Sequence, residues 1–191
     1  MKETPTTQVE RVLLRKGSSI VIGIDEVGKG AWAGPLMIGA AVLSRDVIAS
    51  DDAAALMGGA RDSKQLSEIK REEIFDHVAA TCAAWSIGYV THAECDALGM
   101  NAAQRLATKR AIESLAKQID VSKATAVIDG RWDFVSPHIS QVMTQVKADA
   151  SVLSVSAASV LAKVSRDRMM REYANDYSLW SFETNKGYPC P

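Results

Sequence analysis

The chain has 191 residues, 47% of them apolar, and a formal net charge of −1. That is enough apolar side chain for one full core, and too little net charge for the molecule-wide field of a typical nucleic-acid binder, so any phosphate site has to be a local patch. Cys82, Cys95 and Cys190 stand apart with no Cys-x-x-Cys spacing, which argues against a disulfide framework or a zinc site and fits a reducing compartment. Residues 1–16 lack the apolar stretch of a signal peptide, and no apolar run reaches the ~18 residues that span a bilayer. The expectation is a cytoplasmic protein with no membrane contact.

Residues 1–18 read as a tail or short helix, with Val9, Val12 and Leu13 in a weak helical pattern ended by Gly17. Residues 19–191 read as one domain. Residues 19–26 are rich in β-branched side chains and apolar on both faces, which predicts a central strand. Residues 36–43 predict a second strand, and the tight Gly28–Pro35 turn makes the pair antiparallel. Residues 45–66 hold a small Ala-rich helix, the Gly58-Gly59 break and an Arg61-Asp62-Ser63-Lys64 loop. Ser67 predicts the cap of a helix over 68–82 with Ile74, Phe75, Val78, Ala79 and Cys82 inward. Residues 85–90 alternate as a third strand, and a helical turn over 93–98 stops at Gly99. Asn101 is the expected cap of a helix to about residue 117, with Leu106, Ala107, Ala111 and Leu115 inward. Residues 124–128 and 141–146 predict the fourth and fifth strands. A long helix follows over 152–173, whose small residues (Ser154, Ser156, Ala157, Ala158, Ser159, Ala162) allow close backbone approach. This order describes an α/β layer fold with a mixed sheet.

Three predicted strands run into acid: Asp25-Glu26, Asp129 and Asp149. Strand ends are where α/β folds place their sites. Four clustered carboxylates repel one another unless cations lie among them, and hard oxygen ligands suit Mg²⁺ or Mn²⁺. Each acid taken singly also reads as a solvated loop residue, least readily Asp25, which lies inside an apolar run. Adjacent strand residues face opposite sides, so Asp25 and Glu26 share a site only if the strand bends or ends there.

Gly28-Lys29-Gly30 offers bare backbone N–H groups and a cation, a combination that binds anions and that also serves as an ordinary turn. Gly23 to Lys29 matches the spacing of a phosphate-binding P-loop, but Gly30 replaces its Ser/Thr, two acids would lie in the cradle, and Pro35 follows where a helix is required. Asp62-Ser63-Lys64 supplies a hydroxyl and a cation, both reasonable phosphate ligands. Lys163, Arg166 and Arg168 read as a solvated helix face, His77 as a helix surface residue, and His92 and His138 as loop residues. Trp32 packs or borders substrate.

Taken together, Gly23-Ile24-Asp25-Glu26-Val27-Gly28-Lys29-Gly30 with Ala33-Gly34-Pro35, Asp62-Ser63-Lys64-Gln65-Leu66-Ser67 with Lys70-Arg71-Glu72, Asp129-Gly130, Lys147-Ala148-Asp149, the run from Ala157 through Arg168, and Lys186-Gly187-Tyr188 resemble the bacterial ribonuclease HII family of the ribonuclease H-like superfamily. The motifs come in that family's order over about residues 20–191. The resemblance implies a ribonuclease H-like fold with a five-stranded mixed sheet flanked by helices. It implies an endonuclease that cuts the RNA strand of RNA–DNA hybrids and single ribonucleotides in duplex DNA, by two-metal-type hydrolysis leaving 5′-phosphate and 3′-hydroxyl ends, with a role in ribonucleotide removal during replication and repair.

By motif, Asp25, Glu26, Asp129 and Asp149 match its metal-binding acids, with Mg²⁺ or Mn²⁺ as cofactor. Gly28-Lys29-Gly30 matches the loop that reads the 2′-hydroxyl through its backbone, the group that distinguishes RNA from DNA. Tyr188 matches the tyrosine at the RNA–DNA junction. Lys29 stands where Arg is usual, and the chain stops soon after Tyr188 where family members continue into a helical segment, so the C-terminal helical part is expected to be truncated. The working hypothesis is a monomeric, metal-dependent ribonuclease acting on nucleic acid, with Lys29, Lys64 and Lys163 holding the backbone. The alternatives are a non-catalytic binder of RNA–DNA hybrids and a P-loop-type NTPase.

Overall fold

A computed structural model gives the fold of residues 4–189. Cys190 lies outside the described residues. Strand β1 (Val21–Val27) pairs antiparallel with β2 (Leu36–Leu43), as the tight turn between them requires. Between β2 and the next strand come α2 (Arg45–Ala49), α3 (Ala53–Leu56), a 3₁₀ turn at Ser63–Gln65, and α4 (Glu68–Thr81). The Ser67 hydroxyl caps α4 by accepting from Lys70 N at 3.2 Å. Strand β3 (Cys82–Val90) starts three residues earlier than the alternation suggests and lies antiparallel to β2.

Helix α5 (His92–Leu98) opens with a reciprocal Thr91–Glu94 capping box and places His92 in a helix rather than a loop. Helix α6 runs over Met100–Leu115. Its cap is Gly99, and the expected cap Asn101 is an exposed residue inside the first turn. Ala107, Ala111 and Leu115 are buried, but Leu106 is only half-buried, since Ala103 and Gln104 take the inward positions on that turn. Strands β4 (Thr125–Asp129) and β5 (Gln141–Gln145) follow in parallel with β1 and with each other. Helix α7 (Ala148–Ser151) leads into the long α8 (Leu153–Asp176), and α9 (Phe182–Asn185) precedes Tyr188.

Among the described residues the sheet is five-stranded and mixed, in the order β3-β2-β1-β4-β5, so β1 is central as its two apolar faces require. One face buries Ile22, Ile24, Ile38 and Val42 against Ala103, Ala107 and Ala111 of α6. The other packs Ala41 and Leu43 against Leu153, Ala157, Ala158 and Leu161 of α8 and against α4. The small residues of α8 bring its backbone down onto Gly23 and Gly39, where a Cβ would overlap the Ser154 and Ala158 backbone. That close approach sets α8 directly over the centre of β1. The N-terminal helix α1 (Gln8–Arg15) is joined to the start of α8: Glu10, fully buried, accepts from Ser154 N at 2.8 Å, and Thr6 bridges Val152. No helix among the described residues is long and apolar enough to cross a membrane.

Candidate active site

The acids come from three elements. Pairing of β1 with β4 ends at Ile24–Ile128, so Asp25 and Asp129 are the next residues on two adjacent parallel strands and share a face. That face lies under α8. Pairing of β1 with β2 continues to Val27, so the strand does not end at the acidic pair, and Glu26 faces the opposite side from Asp25. The corner is shared for another reason. Beyond Ile24 the β4 side of β1 is open, and the half-buried Glu26 carboxylate feels the charges of Asp129 and Lys64 around that edge.

Asp149 is not at a strand end. Strand β5 stops at Gln145, Lys147 turns the chain in a left-handed conformation (φ 59°), and Asp149 is the second residue of α7. A helical turn replaces the expected strand end, and it delivers Asp149, 5% exposed, to the same corner. Asp129 anchors this turn: its Oδ1 accepts from Ala148 N at 2.8 Å.

Charge in this corner is under-compensated. Burial, with the neighbouring Glu26 charge adding to it, pushes Asp25 up to about 7, and a hydrogen bond from Ser159 only partly offsets this. Burial and the Asp129 charge push Asp149 up to about 6. Glu26 is raised, chiefly by burial. Two cations face the acids: Lys64 Nζ lies 3.7 Å from Asp149 Oδ2, and Lys29 Nζ lies 3.5 Å from Glu26 Oε1. Burial alone would weaken the Lys64 ammonium, but Asp25, Asp149, Asp62 and Asp129 outweigh it and hold Lys64 protonated more firmly than usual. Glu26 Oε2 is buried without a hydrogen-bond partner.

Among the described residues no three His, Cys, Asp or Glu side chains meet as a finished ligand group, and each acid has a protein partner. Asp25 accepts from Glu26 N at 2.8 Å, Asp129 from Ala148 N, and Asp149 and Glu26 lean on lysines. The donor set nevertheless suits a hard divalent cation. It is all carboxylate oxygen, Asp25, Glu26 and Asp149 are raised by burial with neighbouring acids adding to it, and it holds an orphaned buried oxygen.

A second group of residues lies at the far end of the Gly28–Pro35 loop. Gly28 takes φ +97°, and Ala31 N closes a turn on Gly28 O at 3.1 Å. Trp32 N and Ala33 N donate to Gly187 O at 2.8 and 3.2 Å, which ties the glycine loop to the segment carrying Tyr188. The half-buried Tyr188 ring has Lys163 Nζ and Arg166 Cζ each 5.0 Å from its centroid. After Lys29 the chain enters β2 rather than a helix, so the P-loop reading fails on geometry.

A family model described as Ribonuclease HII matches residues 22–191. The chain belongs to the ribonuclease HII family. It is 39% identical over 192 residues to the ribonuclease HII of Streptomyces coelicolor, covering 99% of this chain and 76% of that one. The fold superposes on the crystal structure of ribonuclease H2 from Pyrococcus horikoshii OT3 with TM-score 0.69 and 28% identity, over 89% of this chain and 81% of the other. It superposes equally well, with TM-score 0.69 and 26% identity, on Bst-RNase HIII in complex with Mn²⁺, over 85% of this chain and 56% of the other. The protein is thus a hydrolytic nuclease acting on RNA–DNA hybrids, in a family that uses divalent metals.

For a ribonuclease HII, two expectations need correction. Lys163 and Arg166 do not form a solvated face, and Arg168, its side chain 42% exposed, does so only in part. Arg166 has no solvent exposure, Lys163 donates to Asp167 at 2.7 Å, and Arg168 pairs with Glu72 at 2.6 Å while stacking on Phe75. Through Arg166, helix α8 is enclosed by α4, the sheet and the 186–188 segment, so Lys163 and Arg166 find partners inside the protein. The Ser63 hydroxyl is also not free for phosphate: Ser63 is 4% exposed and its Oγ shares a 3.0 Å hydrogen bond with Ser159 Oγ. Sequence reasoning missed Ser159, which joins Ser63 to Asp25. It is one of several small residues on α8, and only its register over β1 marks it out.

Proposed function

We propose that Asp25, Glu26, Asp129 and Asp149 form the metal-holding catalytic centre of this ribonuclease HII, and that it cuts both RNA–DNA hybrids and duplex DNA carrying single ribonucleotides. The observation that carries this is the convergence of four acids from β1, β4 and α7 on one corner where their charge is not balanced from within. Asp25 and Asp129, adjacent on parallel strands, would hold the cations centrally, with Glu26 and Asp149 completing the set from either side. When bound, divalent cations neutralise the carboxylates and supply Lewis acidity toward a phosphodiester, in the manner of two-metal hydrolysis giving 5′-phosphate and 3′-hydroxyl ends.

Lys64 and Lys29, exposed beyond the acids, meet the phosphates on either side of the cut. Lys163 has no such role, since Asp167 and the Tyr188 ring occupy it. The Gly28-Lys29-Gly30 backbone reads the 2′-hydroxyl, and Tyr188 packs on the following sugar. Free thiols at Cys82 and Cys95 fit a cytoplasmic enzyme, which we read as a monomer serving ribonucleotide removal in replication and repair. Residues 19–191 form its catalytic domain, with α1 as an N-terminal attachment.

The test is cleavage of a duplex carrying one ribonucleotide, with Mg²⁺ or Mn²⁺. The wild-type protein cuts at the ribonucleotide and Asp25→Asn does not. Binding of the duplex without cleavage by the wild type would favour a non-catalytic hybrid-binding protein, and full activity of Asp25→Asn would overturn the assignment of the acids.

A further inference from the structure

Among the described residues Arg166 is the bulkiest side chain with no solvent exposure. A guanidinium removed from water is costly unless its donors are satisfied, and burial weakens this cation's hold on its proton. Its three hydrogen-bond acceptors are backbone carbonyls from two separate segments. Nε donates to Pro35 O at 2.9 Å, Nη2 to Ala33 O at 2.9 Å and Nη1 to Lys186 O at 2.8 Å. The first two carbonyls close the glycine loop, and the third opens the turn that carries Tyr188.

The surroundings leave little slack. A Cβ on Gly28 would meet both Pro35 O and Arg166 Nε, and a Cβ on Gly187 would overlap the Ala33 carbonyl. The neighbouring Asp167 is held by Arg71 at 3.3 Å and Lys163 at 2.7 Å. The Lys186 side chain turns away to Glu68 and Glu183 O, which leaves its carbonyl to Arg166.

We propose that Arg166 is a positioning residue that fixes the spacing between the Gly28–Pro35 loop and Tyr188, and so sets which nucleotide of a duplex is presented to the acids. The proposal rests on the reading of that loop and of Tyr188 as substrate contacts. A planar fork can serve carbonyls from two segments at once, whereas a lysine at this position keeps the charge but gathers its three donors on one nitrogen and lacks the fork's spread. The charge-conserving substitution therefore releases one segment from the other.

The test uses the full chain as wild type, Arg166→Lys and Gly187→Ala. Amide exchange at Trp32 and Ala33 is measured beside that of β1. Mn²⁺ affinity is measured by calorimetry. Cleavage is compared on a duplex with one ribonucleotide and on a uniform RNA–DNA hybrid. In Arg166→Lys the loop amides exchange faster while β1 stays protected, Mn²⁺ affinity is unchanged, and selectivity for the single ribonucleotide falls by roughly tenfold or more. Gly187→Ala keeps Arg166 but forces the same segments apart, so it shows the same loss of selectivity and serves if Arg166→Lys does not fold. Selectivity retained in either folded variant, or lost only in step with Mn²⁺ affinity, overturns the proposal. Faster loop exchange with a wild type that cuts neither substrate supports the clamp and removes the enzymatic reading instead.

Discussion

Two corners of this molecule bury charge, and they do so in opposite ways. Around Arg166 and Asp167 the signs are mixed: three carbonyls meet the guanidinium, and Arg71 and Lys163 converge on one carboxylate. Around Asp25 and Asp129 the signs are alike. Four acids share two lysines, Asp25 is driven to about 7, and one Glu26 oxygen has no partner. The first corner balances its charges within the fold, although Arg71 Nε is buried there without a partner. The second, on the proposed reading, would be completed by a cation from outside. Buried charge alone therefore does not mark a site here; the proposed site is set apart by several carboxylates of one sign meeting in one place.

Removing one charge from each corner separates the two most sharply. Asp25→Asn should abolish cleavage, losing more than the roughly 10–100-fold expected when a group supporting a ligand is removed. The same substitution should raise the metal-free protein's unfolding free energy at pH 8, because it deletes a carboxylate that burial disfavours. Steady-state cleavage and urea unfolding in EDTA check the two halves. A variant both inactive and less stable would mean that Asp25 is structural. Asp167→Ala should do the reverse. It leaves Arg71 and Lys163 facing each other across a lost carboxylate, and should cost roughly 3–5 kcal/mol in urea unfolding while Mn²⁺ affinity measured in the folded protein stays the same.

The sequence speaks differently about the two corners. The acid corner was legible because apolar strands that run into Asp25 and Asp129 break a pattern, and a broken pattern shows. Strand β2 was legible to the residue, since Leu36 to Leu43 is apolar throughout and bounded by Pro35 and Ser44. That Glu26 lies on the opposite face from Asp25 was legible, but how it still reaches the Asp25 corner was not, because that depends on where β4 stops pairing, a contact between residues about a hundred positions apart. Asp149 was assigned to the site but to the wrong element, since a four-residue helix leaves no periodicity to read. The clamp corner was illegible for a plainer reason. Arg166 at helical spacing from Lys163 looks like any solvated face, and its acceptors are main-chain carbonyls, which carry no residue identity at all.

The pH response extends the comparison. In the metal-free protein Asp25 rises from its ordinary 3.8 to about 7 and Asp149 from 3.8 to about 6, and the buried Glu10 moves the same way. At these groups the folded state then binds more protons than the unfolded state, so their contribution to stability is full below about pH 4 and is lost as pH rises through 6 and 7. Thermal unfolding in EDTA from pH 5 to pH 8 should show this decline. Mn²⁺ should flatten it, since a bound cation favours the ionised acids. Asp25→Asn in EDTA should also flatten most of it. A metal-free protein whose stability rises over this range would contradict the picture of unbalanced carboxylates.

Lys64 gives the smallest and most diagnostic effect. Its side chain is 73% exposed, yet its ammonium is the nearest positive charge to Asp149 and acts on Asp25 as well. Lys64→Met removes that offset, so both acids hold their protons to higher pH and the rising limb of the cleavage–pH profile moves upward. Because no ligand is lost, raising the pH should restore metal loading, which it cannot do for Asp25→Asn. Any deficit that remains then belongs to substrate binding and should appear in KM. The exposed ammonium acts partly through solvent, so the displacement of the profile should shrink as ionic strength rises from 0.05 to 0.5 M, where the screening length falls to roughly 4 Å. A displacement that ignores salt would mean that Lys64 acts by shaping the Asp62–Gln65 turn rather than by its charge.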